Sequence, residues 1–379
     1  MDSTRKAQVL FMNSSITVHY NNQPIYDILL ENDYAQLVKE LNKLETQNLK
    51  ICIVSDTNVS KLYLEELIHL LEKNAKVVET FVFKAGEGSK NLDTVYALYE
   101  HLIQARFDRK DLLIALGGGV VGDLTGYAAA TYLRGIEFIQ VPTSLLAMVD
   151  SSIGGKTGVD FHSYKNMIGA FHQPKSVYMN LSTLTSLSNN QYSAGLGEII
   201  KHGLIKDANY YQWLKSHKNE IKSHDIHVIK EMVYRSCLIK QEVVEKDPKE
   251  LSDRALLNFG HTIGHAVEKL MNFKLLHGEC VALGMIAACY ISYKRGYLLK
   301  EELEDIITFI SSFDLPVKVS GLNAEDIFQA TTHDKKMESG KLKFILLSKI
   351  GNAFIDTSVT KEEIMNGIQY ILTCEDASY

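Results

Sequence analysis

A chain of 379 residues is longer than one hydrophobic core normally supports, so two domains are expected. A hydrophobic fraction of 46% and a formal net charge of -6 describe an ordinary globular protein, without the basic runs that suit nucleic acid or an anionic membrane surface. No apolar segment approaches the roughly 18 residues of a spanning helix, and the opening MDSTRKAQVL lacks a secretory apolar stretch, so a cytoplasmic protein with a small-molecule partner is expected.

In chain order, QVLFM and SITVHY read as the two strands of a hairpin around Asn13 and Ser14, followed by an amphipathic helix over residues 33–44. KICIVSD (50–56) is a buried strand, 58–72 a helix, 76–84 a strand ending in AGEGSKN, 92–105 a helix, and DLLIALGGG a third buried strand. This alternation predicts a Rossmann-like parallel sheet covered by helices on both faces, with ligands at the carboxyl ends of the strands. Polar or glycine-rich turns fall there at 56–58, 86–91 and 117–123.

The third turn, GGGVVGD, carries GxGxxG at Gly117, Gly119 and Gly122 between a strand and the helix VVGDLTGYAAATYL. Such glycines let backbone approach a pyrophosphate at a helix N-terminus, and they equally permit close packing of strand on helix. The turn follows the third strand rather than the first, and no acidic residue closes a strand about 20 residues later. A dinucleotide would therefore lie differently from the standard arrangement.

After the strand GIEFIQVP comes a loop-rich stretch containing Asp150, Gly154, Gly155, Lys156, Lys165 and Asn166. It is not a Walker A motif, yet a glycine pair followed by a lysine suits an anion, whereas Lys165 alone reads as solvated. A strand and turn over 176–187 close the first domain, 1–187. Residues 188–379 read as a mainly α-helical second domain, with a cleft between the two halves and a hairpin and final helix in the tail.

In the first of these helices Glu198 and Lys201 share a face. A surface pair is the ordinary explanation, but Leu196, Ile199 and Ile200 flank Glu198, and a buried carboxylate needs a cation. The densest chemistry lies in RALLNFGHTIGHAVEKLMNFKLLHGE (254–279), where His261, His265 and His277 stand among apolar residues and glycines. Unpaired buried imidazoles are costly, so each needs a partner or a task. The HxxxH spacing puts His261 and His265 on one helical face, within reach of one ion or one substrate. The glutamate of a zinc protease is absent, since Thr262 follows His261, and two satisfied core histidines are the plainer alternative. His277 reads as part of a short loop before Gly278 and Glu279, and three polar groups in one apolar segment favour a site. The five cysteines, with no CxxC pair, fit reduced thiols.

Together GGGVVGDLTGYAAATYLRG, VPTSLLAMVDSSIGGKTGVD, KNMIGAFHQP, GEIIKHG, LLNFGHTIGHA and HGE, in that order, resemble the 3-dehydroquinate synthase family from about Asp56 to Gly351. The resemblance implies a divalent metal, zinc or alternatively cobalt, on Glu198, His261 and His277, with His265 acting on substrate or protons instead. It implies NAD at Asp56, Asn58, Glu87, Lys90, Gly118, Gly119, Val120, Asp123, Thr143, Ser144, Asp150, Lys156, Lys165, Asn166 and Thr183. Substrate contacts are implied for Arg134, Asp150, Lys156, Asn166, Lys201, Lys240, Arg254, Asn258, His265 and Lys335, with Arg134 reaching across a homodimer. The implied reaction takes 3-deoxy-D-arabino-heptulosonate 7-phosphate, a phosphorylated sugar acid, through transient oxidation, phosphate elimination, reduction and aldol closure. Asp160, Gly197 and Leu187 stand where the family usually has Asn, Ala and an acidic residue, and a one-residue loop insertion would exchange Lys335 for Lys336. Cyclitol-forming cyclases, metal-dependent polyol dehydrogenases and a catalytically silent binding protein are the competing readings.

Overall fold

A computed structural model describes residues 14–162, 164–250, 252–272, 274–332, 337–338 and 341–373. The chain separates into two compact units, one of Met1–Leu187 with Ile229–Gln241, the other of Ser188–Val228 with Glu242–Tyr379.

The first unit is built on a seven-stranded sheet. Its strands are β1 (Ser15–Tyr20), β2 (Gln23–Glu31), β3 (Lys50–Asp56), β4 (Val77–Phe83), β5 (Leu112–Gly117), β6 (Glu137–Pro142) and, following a separate hairpin of β7 (Lys156–Phe161) and β8 (Tyr164–Phe171), β9 (Ser176–Asn180). The spatial order is β1-β2-β9-β6-β5-β3-β4, and every neighbouring pair but β1 with β2 is parallel. The continuous apolar runs of β3 and β5 have a direct cause. Successive side chains of a strand point to opposite faces. Cys52, Val54, Leu113 and Ala115 enter one core with Val95, Leu98 and Leu102 of α3 (Leu92–Gln104) and Val121 and Leu124 of α4 (Gly119–Thr131). Ile51, Ile53, Leu112 and Ile114 enter the other with Leu37 and Leu41 of α1 (Leu37–Lys43) and Leu67 and Leu71 of α2 (Ser60–Leu71). Both faces are covered, as a parallel sheet requires.

One strand is added to the local expectations and two of them are corrected. SITVHY pairs with Gln23–Glu31 across Asn21 and Asn22, while QVLFM, expected as its hairpin partner, lies outside the described residues. Both asparagines have positive φ, 50° and 61°, the left-handed pair that closes a two-residue hairpin. The helix expected over 33–44 is confined to Leu37–Lys43. The stretch after β6, expected to be loop-rich, is a π-helical turn (Ala147–Ser151) followed by the β7/β8 hairpin, whose glycines Gly158 and Gly169 face one another.

The second unit carries α5 (Asn189–Lys206), α6 (Ala208–Ser216), α7 (Lys218–Lys222), most of the two ends of α8 (Ile226–Lys246), α9 (His261–Leu270), α10 (His277–Lys294), α11 (Lys300–Ser311), α12 (Ala324–Thr332), a hairpin of β10 (Phe344–Lys349) and β11 (Asn352–Asp356), and α13 (Lys361–Ile371). The stretch 229–241 of α8, expected in the second domain, clusters with the first unit. Helix α10 is buried on nearly every side from Gly278 to Ser292, which explains why its sequence has no amphipathic stripe. The four described cysteines are buried and form no disulfide with one another, and Cys374 lies outside the described residues.

Candidate active site

In the second unit, glycines decide how closely the helices bearing the chemistry approach. A Cβ on Gly278 at the start of α10 would stand 1.8 Å from the carbonyl oxygen of Ala194 on α5, and one on Gly284 would stand 1.8 Å from that of Gly260, just before α9. Gly197 is similarly tight, 2.8 Å from the Gly278 carbonyl, so glycine rather than alanine before Glu198 has a steric reason here. No larger residue fits these crossings without moving a helix.

The result is a convergence of four side chains. Glu198 is completely buried, and His261 and His277 present Nε2 to its Oε1 at 3.7 and 3.8 Å. His265 joins them, its ring 5.1 Å from that of His261 and 5.6 Å from that of His277. One ring nitrogen from each of the three histidines lies within 4.8 Å of the other two. His277, expected on a loop, is instead the first residue of α10. Each imidazole facing Glu198 meets an acceptor at Nδ1: the Phe259 carbonyl at 3.2 Å for His261, and Glu268 Oε2 at 3.4 Å for His277. An acceptor at Nδ1 favours the tautomer that carries the proton there and turns the Nε2 lone pair towards Glu198.

These residues fit a divalent ion. Among the described residues neither oxygen of the Glu198 carboxylate accepts a hydrogen bond, although Lys201, also buried, forms an ion pair with Oε2. Lys201 answers one oxygen of this buried carboxylate, and Oε1, turned to the two imidazoles, is left for a further cation. The two Nε2–Oε1 separations exceed hydrogen-bond reach and are a few tenths of an ångström wider than the roughly 3.4 Å kept by two ligands about 2.1 Å from a tetrahedral ion. One carboxylate and two or three neutral imidazoles are hard and borderline donors of the kind zinc and cobalt accept.

Near this cluster in sequence, Arg254 is buried in a short turn, where its Nη1 donates to the Pro248 carbonyl at 2.8 Å and its backbone N–H to Asp247. Asn258 donates to Glu250 Oε1 at 2.9 Å. Lys335 and Lys336 lie outside the described residues.

In the first unit the carboxyl ends of β3, β4, β5, β6 and β9 share one edge of the sheet, because these strands run parallel. There Gly118 precedes α4, the Thr143 N–H donates to the Gly117 carbonyl at 3.0 Å, and a Cβ on Gly118 would meet Ser144 Oγ at 3.4 Å. Val120 lies in the first turn of α4, whose amides open towards this edge. Gly122 serves packing instead, since a Cβ there would sit 2.6 Å from Gln140 Oε1 on β6. Beside the turn, buried Lys90 donates to Asp123 Oδ2 and to Asn166 Oδ1, both at 2.6 Å. Burial pulls the Lys90 ammonium down, but Asp123, Glu87 and Asp160 outweigh it and hold the group above the usual lysine range. Lys165 pairs with Glu87 at 3.4 Å, and Asp160 accepts the Asn166 N–H at 2.8 Å. Desolvation pushes the Asp160 carboxyl up, the Asn166 bond opposing it.

Other expected residues have local partners. Asp56 Oδ1 accepts the N–H groups of exposed Asn58 and of Val59 before α2. Thr183 is buried and donates its hydroxyl to the Asn180 carbonyl. Lys240 is buried against the carboxylate and carbonyl of Asp150. Lys156 is exposed at the start of β7, and Arg134, also exposed, has a positive φ of 70° in the turn after α4. Glu268 was missed. The signal was present, since it follows His261 by seven residues and His265 by three, on the same helical face.

Comparison with solved structures gives the class of fold. The chain is similar to the 2-epi-5-epi-valiolone synthase ValA of Streptomyces hygroscopicus, solved with NAD+ and Zn2+ bound, with a TM-score of 0.84 and 27% identity over 94% of this chain and 99% of that one. It is also similar to 2-deoxy-scyllo-inosose synthase complexed with carbaglucose-6-phosphate, NAD+ and Co2+, with a TM-score of 0.79 and 25% identity over 93% of this chain and 99% of that one. The architecture is that of the sugar phosphate cyclases. In sequence, residues 80–194 match the family model of the 3-dehydroquinate synthase N-terminal domain and 195–337 that of the C-terminal domain. The 3-dehydroquinate synthase of Acetivibrio thermocellus is 43% identical over 343 residues, 90% of this chain and 95% of that protein. The chain belongs to the 3-dehydroquinate synthase family.

Proposed function

We propose that this chain is a carbon–oxygen lyase that converts 3-deoxy-D-arabino-heptulosonate 7-phosphate to 3-dehydroquinate and phosphate, the cyclising step of aromatic amino-acid biosynthesis. The observation that carries the reading is a buried Glu198 carboxylate whose Oε1 is faced by two imidazoles while Lys201 pairs with Oε2, in a chain of this family. Residues 1–187 are read as the NAD-binding part and 188–379 as the metal- and substrate-binding part. We read the protein as a cytoplasmic homodimer acting on a phosphorylated sugar acid, with no nucleic-acid or membrane partner. No helix among the described residues is long and apolar enough to cross a membrane.

Glu198, His261 and His277 would hold the divalent metal, and the NAD residues named above the nicotinamide cofactor. When bound, these groups supply Lewis acidity and a hydride acceptor that is returned within the cycle. The chain's own residues do the rest. Lys201 balances the second Glu198 oxygen and keeps a cation beside the reacting alcohol. His265, whose ring adjoins both ligand histidines, is positioned to carry a proton to or from substrate oxygen. Lys240 and Arg254 are the cations for the substrate carboxylate, and Lys156, Asn166, Asn258, His265 and Lys335 those groups that surround the phosphate. Lys90, kept cationic by its carboxylate neighbours, suits the negative charge of a dinucleotide.

The test is phosphate release from the heptulosonate phosphate with NAD far below substrate concentration, with product identification. Many turnovers per NAD without accumulation of NADH are expected. Stoichiometric accumulation of NADH would instead identify a polyol dehydrogenase.

A further inference from the structure

We infer that Glu268 is a positioning residue of the metal set, holding the imidazole of His277 in its ligating tautomer and orientation. The inference rests on the reading of Glu198, His261 and His277 as metal ligands. Glu268 lies in the last turn of α9, only 3% exposed, and its Oε2 stands 3.4 Å from His277 Nδ1. A carboxylate buried to that degree belongs with a charged or strongly donating partner. The face of the imidazole turned to Glu268 is the one turned away from Glu198, whose Oε1 meets Nε2 at 3.8 Å. His277 thus bridges two buried carboxylates, one at each ring nitrogen.

The two ligand histidines are held differently, and this makes the inference specific to one of them. His261 has a backbone carbonyl, that of Phe259, at its Nδ1, an acceptor fixed by the turn leading into α9. His277 has a side chain from another helix. It is also the more accessible of the two, its side chain 25% exposed against 10% for His261, so it depends more on a specific partner to choose one ring orientation. The partner's position depends in turn on the α9–α10 crossing, where a Cβ on Gly264 would stand 2.8 Å from the Cys280 carbonyl. A carboxylate accepting from Nδ1 fixes the tautomer and raises the donor strength of Nε2.

The experiment compares zinc affinity by competition with a chromophoric chelator, and the visible spectrum of the cobalt-substituted protein, for wild type, Glu268→Gln, Glu268→Ala and His277→Ala. Glu268→Ala is expected to weaken zinc binding roughly 10–100-fold and to alter the cobalt spectrum. Glu268→Gln, similar in size and still able to accept from Nδ1, is expected to retain the spectrum with a smaller loss of affinity, and it keeps the proposal testable should the alanine variant not fold. A role confined to packing would lower the melting temperature of both variants and leave zinc affinity and spectrum unchanged, which would overturn the proposal. His277→Ala separates the two levels of inference: loss of zinc there with wild-type binding in both Glu268 variants refutes only the role of Glu268, whereas wild-type zinc binding in His277→Ala refutes the ligand set itself.

Discussion

Arg254 illustrates how one side chain can carry both structure and specificity. The residue is 2% exposed and its backbone is tied to Asp247, so it is held in place before any substrate arrives. A planar fork in that position suits a carboxylate better than an ammonium would. In the proposed reading Arg254→Lys, which retains charge but loses the fork, lowers kcat/KM for the heptulosonate phosphate by roughly 10–100-fold, mainly through KM. Steady-state kinetics on the folded variant checks this. Unchanged kinetics would favour a cyclitol-forming cyclase, whose substrate has no carboxylate. At the residue scale, the proposed metal residues and their support differ in how visible they are in the sequence. His261, His265 and His277 announced themselves as imidazoles in an apolar segment, whereas Glu268 looked like one more helical glutamate until its burial was visible.

At the scale of elements, the glycine crossings and the anchoring of the last helix are the features on which the second unit depends. Gly284→Ala would force a methyl to 1.8 Å from the Gly260 carbonyl, in a helix packed on nearly every side. The variant is expected to lose at least about 1–3 kcal/mol in urea unfolding. Helix α13 is fastened by Arg295 of α10's C-cap, which donates to both oxygens of Glu363, at 2.6 and 2.8 Å, and to Asp356 at 2.8 Å. Those bonds hold the Glu363 carboxyl down from 4.5 to about 2. Because the folded value is the lower one, this stabilisation is complete above pH 4.5 and is lost as the pH falls towards 2. Arg295→Leu should therefore be less stable than wild type by roughly 1–2 kcal/mol near neutrality. The gap should narrow on acidification through that window, as followed by helical circular dichroism; a gap independent of pH would remove the ion pair from the explanation.

For the whole molecule, the residues proposed to bind the nucleotide belong to one compact unit and those proposed to bind the metal to the other. A chelator should accordingly abolish turnover while NAD affinity, followed by fluorescence titration, changes by no more than a few-fold. Loss of NAD binding on chelation would show that the two residue sets are not separable in this way.

The alternation of buried strands and helices in the first half was legible because the period of side-chain burial is written locally: 2 for a strand, 3.6 for a helix. KICIVSD, DLLIALG and GIEFIQVP became β3, β5 and β6 with little change. The family was legible too, through motifs that kept their order along the chain. Where local signals were weak the reading slipped. The strand Gln23–Glu31 escapes the pattern because Pro24 stands near its exposed start, and the β7/β8 hairpin resembles loop because its glycines mark close strand approach as readily as turns. What no local pattern could supply is the meeting of Glu198 with histidines more than sixty residues away, the carboxylate behind His277, or which helix faces come within a carbonyl's width of one another. Those are consequences of three helices packed at glycine contacts, and contact between residues distant in sequence is decided only when the chain has folded.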